Sequence, residues 1–365
     1  MAGHWNALTQ RSSVNTVFLR HEWFESAWRW LRKAARLHLI CVYRGTVLIG
    51  ICPLIFRLRK QGGIRLRSLE FLAIPDTQLC DIISAPEDCA TVTRAIARTL
   101  HEQRQEWDIV DLRPLSGSSP TLQALPAALA EHDLAVAALT SGQSPYVRLE
   151  GDWESFYHTR SRRLRKSNNL AANRLRRTGD VGIEWVRADG IAEQDIDALI
   201  QAMSQVSAHS WKEQIGLSLD KPGPGAFIGN LTRHAHRNDW LSAWLLLLDG
   251  RAIASEYQLV YNNRVYALRA DFDEGYRELS PGAYLNWKML ERFFRSGMDC
   301  YHMGPGGNPY KLRWTADSET LCRVVAYSPT WRGYTMSLFS LKLRPQLQRL
   351  AGMTRPNAAK PRGTT

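Results

Sequence analysis

The 365-residue sequence predicts a mixed α/β protein built from two related units in tandem, each with a mixed, mainly antiparallel sheet flanked by helices. The length exceeds what one hydrophobic core usually supports, so two domains are expected. A faint internal repeat aligns YRGTVLIGICPL with LLDGRAIASEYQL and matches Gly45 with Gly250. In both copies a helix and a short strand follow, DIVDL in the first and DCYHM in the second. Two duplicated units explain this order most simply, although unrelated amphipathic hairpins would share part of the pattern.

The first unit is assigned to residues 1–155. Apolar residues recur at helical spacing within FLRHEWFESAWRWLRKAA and predict an amphipathic helix. An apolar hairpin follows, with its turn at Arg44-Gly45. ATVTRAIARTLHEQR predicts a second helix, and WDIVDLRPL predicts a short buried strand.

A strongly basic helix is expected between the units, at 156–180. It carries eight cations with no acidic residue among them: Arg160, Arg162, Arg163, Arg165, Lys166, Arg174, Arg176 and Arg177. RNA could bind such a face. Since no aromatic residues alternate with the arginines, the favoured hypothesis is a clamp whose arginines reach carboxylates of both domains. Nucleic acid is therefore not expected as a partner.

The second unit is assigned to residues 181–342. A long antiparallel run ends in ADFD, and its turns are predicted at Asp249-Gly250 and Asn262-Asn263, which suit tight hairpins. A helix at 283–296 should stop at Gly297, and the strands MDCYHM and LCRVVAYSP follow. Residues 343–365 are basic and contain proline, so a tail with a disordered end is expected.

The start of the helix after ADFD is the strongest candidate for an anion site. In RELSPGA, Ser280 can cap the helix, Pro281 suits its first position, and Gly282 leaves room for a phosphate near the backbone. An ordinary capped helix start is the alternative. At the equivalent place the first unit has SAPEDCATV, whose Glu87 and Asp88 would repel a pyrophosphate. Only the second unit is therefore expected to bind an anion.

The order of elements from about residue 190 to 330 resembles the GNAT acyltransferase superfamily. RELSPGA is similar to the pyrophosphate loop Q/R-x-x-G-x-G/A of those enzymes, with Ser280 in place of the first glycine. SPYVRL, TRSRRLRKS, SWK, LSPGAYL and GPGGNPYKLRW together resemble the CelD-like family, named for cellulose biosynthesis, and its Fem-type relatives. The resemblance implies two GNAT-like domains, with acyl-CoA held in the second by Arg277, Ser280, Pro281, Gly282 and Ala283.

Acyl transfer requires a base for the acceptor proton and an acid for the departing thiolate. Glu256 and Asp271, on strands of the antiparallel run, are the candidate bases, and a solvent-facing carboxylate is an equal alternative for Glu256. Asp273 also lies at the end of this run, but a turn role is favoured for it. The resemblance implies Tyr310 as the acid, against a packing role. Four further residues are assigned to substrate binding: Trp211, Lys212, Arg269 and Lys311. A packing role for Trp211 and a solvated Lys311 are the alternatives.

Together with this resemblance, the sequence favours a cytoplasmic acyl-CoA-dependent N- or O-acyltransferase without a metal. The six cysteines form no C-x-x-C pair, and no apolar run approaches a membrane span. The net charge of +12 favours an anionic partner, and a nucleotide, RNA, an anionic polysaccharide and a membrane surface all fit it equally. The resemblance implies a sugar or amine acceptor near exopolysaccharide or cellulose synthesis, with polysaccharide-synthase components as possible partners. The alternatives are a Fem-type transferase that uses aminoacyl-tRNA and a non-catalytic scaffold.

Overall fold

The computed structural model describes residues 1–61 and 63–343, so nearly all of the predicted tail at 343–365 lies outside the described residues. The α-helices of the described chain, α1 to α11, are Ala2–Arg11, His21–Leu31, Cys89–Glu102, Pro120–Ala130, Trp153–His158, Arg162–Thr178, Ile196–Ala208, Pro222–Arg237, Pro281–Phe293, Pro309–Leu312 and Trp331–Ser337. The strands, β1 to β12, are Arg36–Arg44, Val47–Gln61, Ile64–Phe71, Ile83–Ser84, Ile109–Ser116, Ala135–Arg148, Val181–Arg187, Leu241–Leu248, Arg251–Tyr261, Arg264–Phe272, Cys300–His302 and Ser318–Tyr327.

All twelve strands belong to one sheet. Eleven of them follow the order β1-β2-β3-β5-β12-β6-β11-β10-β9-β8-β7, and β4 pairs with β2 beside this path. Among the strands of the described residues, only β3 with β5 and β10 with β11 run parallel. The predicted fold class, a mixed and mainly antiparallel sheet flanked by helices, is therefore confirmed.

The internal repeat is visible in the topology. In the first half, β1, β2 and β3 form a meander, α3 follows, and β5 returns parallel to β3. In the second half, β8, β9 and β10 form the meander, α9 follows, and β11 returns parallel to β10. Gly45 and Gly250, which the sequence alignment matches, both have positive φ in the turn that starts the repeat. The two copies thus share the same order of elements.

The two halves exchange strands at the centre of the sheet. β12, from the end of the chain, lies between β5 and β6 and is antiparallel to both. The last residues of β6 pair in turn with β11 of the second half. The predicted second unit, 181–342, thus contains a strand that completes the sheet of the first. The domain boundaries remain predictions.

A shared hydrophobic core also joins the halves. The amphipathic α2 packs on α8, where Trp23 meets Phe227 edge to face at 5.2 Å between ring centroids. Phe18 makes a similar contact with Tyr266 on β10. Aromatic pairs of this kind add to the stabilisation that comes from the apolar area they bury. The N-terminal helices therefore brace the sheet of the second half.

The meander β8-β9-β10 has the predicted turns. Asp249, Gly250, Asn262 and Asn263 all have positive φ, between 48° and 76°. Such turns match the twist of paired strands, and Asn, Asp and Gly adopt them most readily. Helix α9 begins two residues earlier than predicted, because Pro281 and Gly282 belong to its first turn, and Gly297 follows it with φ 72°.

Helix α6 carries most of the predicted basic segment, and the clamp hypothesis for it is wrong. Leu164, Ala171 and Leu175 pack into a core that residues of the second half supply for the most part. Within the described residues, none of the eight cations forms an ion pair with a carboxylate. Arg174 instead donates to the carbonyl of Glu278 at 2.7 Å, and Arg160 to that of Trp314. The outward face of α6 is consequently cationic without acidic partners.

Among the described residues, no helix is long and apolar enough to cross a bilayer.

Candidate active site

A cavity of about 590 Å³ opens where β10 and β11 diverge. The two strands pair only from Arg264 to Tyr266, opposite Cys300 to His302, and β10 then continues to Phe272. The start of α9, helix α10 and a loop from the first half close the remaining sides. All twelve predicted site residues line this cavity: Trp211, Lys212, Glu256, Arg269, Asp271, Arg277, Ser280, Pro281, Gly282, Ala283, Tyr310 and Lys311.

The first turn of α9 faces the cavity with free backbone donors. Its first helical hydrogen bond runs from the Tyr284 N–H to the Ser280 carbonyl, at 3.1 Å. The N–H groups of Gly282 and Ala283 therefore have no acceptor within the helix, and Pro281 has no N–H. Free donors and the positive end of the helix dipole together favour an anion at this position.

Ser280 does not cap α9 with its side chain, contrary to the prediction. Its backbone is left-handed, with φ 56° and ψ 49°, and the hydroxyl makes no capping bond. A capping serine normally has extended backbone, which brings its oxygen to the N–H groups of the first turn. Left-handed backbone is also the conformation that glycine adopts most easily, which explains why a glycine suits this position of the loop.

Gly282 is not required by packing within the protein. A Cβ added there would lie 3.4 Å from Cδ1 of Phe272, which is an ordinary contact distance. Helix propensity favours a larger residue at this position. The glycine is thus better explained by close approach of a ligand to the backbone than by crowding. Arg277, which also lines the cavity, is largely exposed and pairs with Glu274, with Nε 2.6 Å from Oε2.

Glu256 lies buried on β9, with only 4% of its surface exposed. Its Oε1 accepts a hydrogen bond from the Tyr301 hydroxyl at 2.5 Å and another from Gln258 Nε2 at 2.8 Å. The hydrogen bonds assigned among the described residues leave Oε2 without a donor. Burial raises the pKa of Glu256, while the bonds from Tyr301 and Gln258 oppose that rise. One oxygen is thus fixed, and the other is available to a proton donor.

A buried polar network holds this carboxylate in place. The Ser242 hydroxyl and the Trp244 indole donate to Oε1 of Gln258, at 2.9 and 3.2 Å. Asn286 donates to the Tyr301 hydroxyl at 3.3 Å. The sequence interpretation missed Tyr301, because a tyrosine in a short apolar strand looks like ordinary core. Only the parallel pairing of β10 with β11 brings it to Glu256.

Tyr310 stands on α10 at the cavity wall, with 46% of its surface exposed. Partial burial, and then the negative charge of Glu256, raise the pKa of its hydroxyl. The hydroxyl is therefore protonated at neutral pH and can donate a proton or a hydrogen bond.

Lys311 is buried. The alternative considered from the sequence was a lysine exposed to solvent. Its ammonium donates to the carbonyls of Gly304 and Pro305, at 2.8 and 2.9 Å. Burial lowers the pKa of Lys311 to about 8. The side chain thus holds the glycine-rich loop that leads to Tyr310. Its predicted contact with substrate stays a prediction.

Two ion pairs line the cavity. Lys212 lies 2.8 Å from Asp271, and Arg269 lies 2.8 Å from Asp76, which belongs to the first half. Arg269 also donates to the carbonyl of Leu217 at 2.7 Å. Trp211 stands beside them with 49% of its surface exposed. Asp271 is thus engaged with a cation, whereas Glu256 has only neutral hydrogen-bond partners.

Residues 162–312 match the family model of the acetyltransferase (GNAT) domain. This range contains all twelve predicted site residues. No curated protein sequence matches the chain.

Several solved structures share the fold at low sequence identity. The C-terminal domain of a putative lysylphosphatidylglycerol synthetase from Agrobacterium fabrum is 12% identical with a TM-score of 0.55, over 93% of this chain and 95% of that one. FemX is 10% identical with a TM-score of 0.55, over 92% and 98%. A tandem GNAT protein from the clavulanic acid biosynthesis pathway is 11% identical with a TM-score of 0.50, over 90% and 95%. Residues 162–312 therefore form a GNAT acetyltransferase domain, which supports acyltransferase activity, and the chain shares its fold with these solved structures.

Proposed function

We propose that the protein transfers an acyl group, with acetyl as the expected group, from acyl-CoA to an amine or hydroxyl by direct attack in a ternary complex. One observation carries the proposal: a single cavity joins the free N–H groups at the start of α9 to a buried carboxylate with one oxygen available. The first feature suits the pyrophosphate of a donor, and the second suits removal of a proton from an acceptor.

The donor would lie along β10. Phe272 touches the space in front of Gly282, and Ala267 stands five residues earlier, at the point of divergence from β11. Five residues of extended strand span roughly 16 Å. A pyrophosphate on Gly282 and Ala283 would therefore leave the thioester end of an extended donor near Ala267. Arg277 would add positive charge at the phosphate end.

Glu256 would act as the general base and Tyr310 as the general acid. The acceptor nitrogen or oxygen forms a bond to the thioester carbonyl carbon and loses its proton to Glu256. The carbon–sulfur bond breaks, and the thiolate takes a proton from Tyr310. Asp271 is the alternative base, although Lys212 already engages its carboxylate.

Two measurements test the proposal. Acetyl-CoA should raise the melting temperature of the full chain, because a ligand that binds only the folded state stabilises it. Release of CoA thiol should then depend on an acceptor from a panel of amino sugars and primary amines. Failure of acetyl-CoA and of longer acyl-CoAs to bind would refute the proposal.

The outward face of α6 favours a second candidate, a Fem-type transferase that takes its acyl group from aminoacyl-tRNA. Its support is the row of cations without carboxylate partners on a helix whose Leu164 and Asn168 line the cavity. Such a face should bind tRNA with an affinity that falls steeply as salt rises. A mobility-shift assay with wild type and with Arg162, Arg163 and Lys166 replaced by Gln would decide. Absence of salt-sensitive binding would remove this candidate.

We propose a sugar or amine acceptor in cytoplasmic exopolysaccharide or cellulose synthesis. The support is the resemblance of SPYVRL, LSPGAYL and GPGGNPYKLRW to the CelD-like family. A polysaccharide-synthase component would be the partner in that setting. Mass spectrometry of the amino-sugar reactions would show whether an acylated sugar forms, and preference for a simple alkyl amine would argue against this role.

A further inference from the structure

We propose that Gln78, from the first half of the chain, is a residue that limits the length of the acyl group that the cavity accepts. The inference rests on the proposed acyl-CoA function and adds a specificity-determining residue to it. Gln78 lies outside residues 162–312, which match the acetyltransferase domain. The loop that carries it connects β3 to β4, and both strands belong to the sheet of the first half.

This loop is firmly held. The Leu72 N–H donates to the carbonyl of Pro53 at 2.9 Å, and the Cys80 N–H donates to that of Pro114 at 2.7 Å. Between these points, Ile74 and Thr77 exchange two hydrogen bonds across a tight turn, at 2.9 and 3.0 Å. Gln78 itself is buried. Its side chain therefore has a fixed place relative to the first half.

Gln78 occupies the gap between the diverging strands. Its Nε2 donates to the carbonyl of Ala267 at 2.6 Å, directly after the last pairing of β10 with β11. On the β11 side lies Gly304, where an added Cβ would stand 3.4 Å from Nε2 of Gln78. The amide thus closes the end of the cavity at the point where the strands part.

An ion pair beside Gln78 locks the loop to the second half. Asp76 lies two residues earlier and accepts from Nε of Arg269 at 2.9 Å. Arg269 is almost fully buried, and its guanidinium also lies 5.8 Å from the ring centroid of Trp30. A buried arginine without a partner is strongly unfavourable, so this contact fixes the distance between the loop and β10.

The position of Gln78 gives it a defined role toward the acyl group. A donor on the first turn of α9 would direct its thioester toward Ala267, and Gln78 stands directly against that residue. A wall of this kind limits acyl length, because each buried methylene strengthens binding by about fourfold where space exists. The amide of Gln78 would exclude chains that the apolar part of the cavity could otherwise hold.

The test is calorimetric titration of the full chain with CoA, acetyl-CoA and hexanoyl-CoA. Gln78→Ala should shift the ratio of the hexanoyl-CoA to the acetyl-CoA dissociation constant by at least 10-fold in favour of hexanoyl-CoA. The affinity for CoA itself should change by less than threefold. Gln78→Asn, which is shorter by one methylene and keeps the amide, should shift the ratio in the same direction by less.

Asp108→Asn is the matched control. Asp108 is a buried carboxylate of the first half that pairs with Arg67 at 2.9 Å and does not line the cavity. Loss of this carboxylate should lower the melting temperature. It should leave the ratio of the hexanoyl-CoA to the acetyl-CoA dissociation constant unchanged. An unchanged ratio in both Gln78 variants, with CoA still bound, would overturn the inference and leave the proposed function intact. Failure of the wild type to bind any of the three probes would refute both.

Discussion

Glu256 is the residue on which the proposed chemistry depends most. Glu256→Gln keeps the shape of the side chain and removes the proton acceptor, so acyl transfer should fall by roughly 100-fold or more. The dissociation constant of acetyl-CoA should stay within twofold, since the donor site lies at α9. Thiol release under saturating donor measures the rate, and the exposed Glu184→Gln on β7 is the control. A rate near that of the wild type would mean that Asp271 or a bound water is the general base instead.

Tyr301 affects the pKa of the same carboxyl group. Its hydrogen bond favours the charged form of Glu256 and so lowers a pKa that burial raises. Tyr301→Phe should therefore move the pKa of Glu256 further up. Because the base acts only when deprotonated, the acid limb of the pH–rate profile should shift to higher pH. An equal loss of rate at every pH, without a shift of the limb, would contradict this role.

At the scale of single residues, the sequence could predict which chemical groups the site contains and not their contacts. All twelve predicted residues reach one cavity, because they follow the strands and turns of a recognisable order of elements. Tyr301, Asp76 and Gln78 were missed, because their roles come from strand pairing and from the other half of the chain. Nothing in their local sequence distinguishes them from packing residues.

Helix α9 carries the prediction that belongs to the scale of elements. Gly282→Asp places a carboxylate beside the free N–H groups that would bind pyrophosphate. It should weaken acetyl-CoA binding by at least 100-fold and leave the circular dichroism spectrum unchanged.

Gly3→Asp is the matched control for this change. Gly3 is also the second residue of a helix, α1, and an added Cβ there meets open space. Donor affinity that survives Gly282→Asp, or that falls equally in Gly3→Asp, would refute the placement of the donor.

Elements differ in how well sequence predicts them. The turns at 249–250 and 262–263 were predictable, since their residues adopt positive φ readily. The left-handed backbone of Ser280 was not, because serine usually caps a helix from an extended conformation. The environment of α6 was not predictable either, since a row of arginines specifies charge without specifying a partner.

At the scale of the molecule, the exchange of β12 makes the halves interdependent. β12 pairs with both β5 and β6, and the core around α2 and α8 also spans the halves. The full chain should therefore unfold in one cooperative transition. Differential scanning calorimetry should give equal calorimetric and van't Hoff enthalpies. Two resolved transitions would contradict this interdependence.

The position of β12 in the sheet could not be predicted from the sequence. The repeat predicts two copies of one unit, and the order of elements within each copy is as predicted. Which copy receives the last strand depends on packing across the centre of the sheet. LCRVVAYSP has the pattern of a buried strand and would suit either half.

A structure of the full chain with acetyl-CoA tests the central claim most directly. The account predicts pyrophosphate oxygens about 3 Å from the N–H nitrogens of Gly282 and Ala283. It also predicts the acetyl group between Ala267 and Glu256, in the cavity between β10 and β11. Acetyl-CoA bound at another surface, or with its pyrophosphate away from the first turn of α9, would contradict the account.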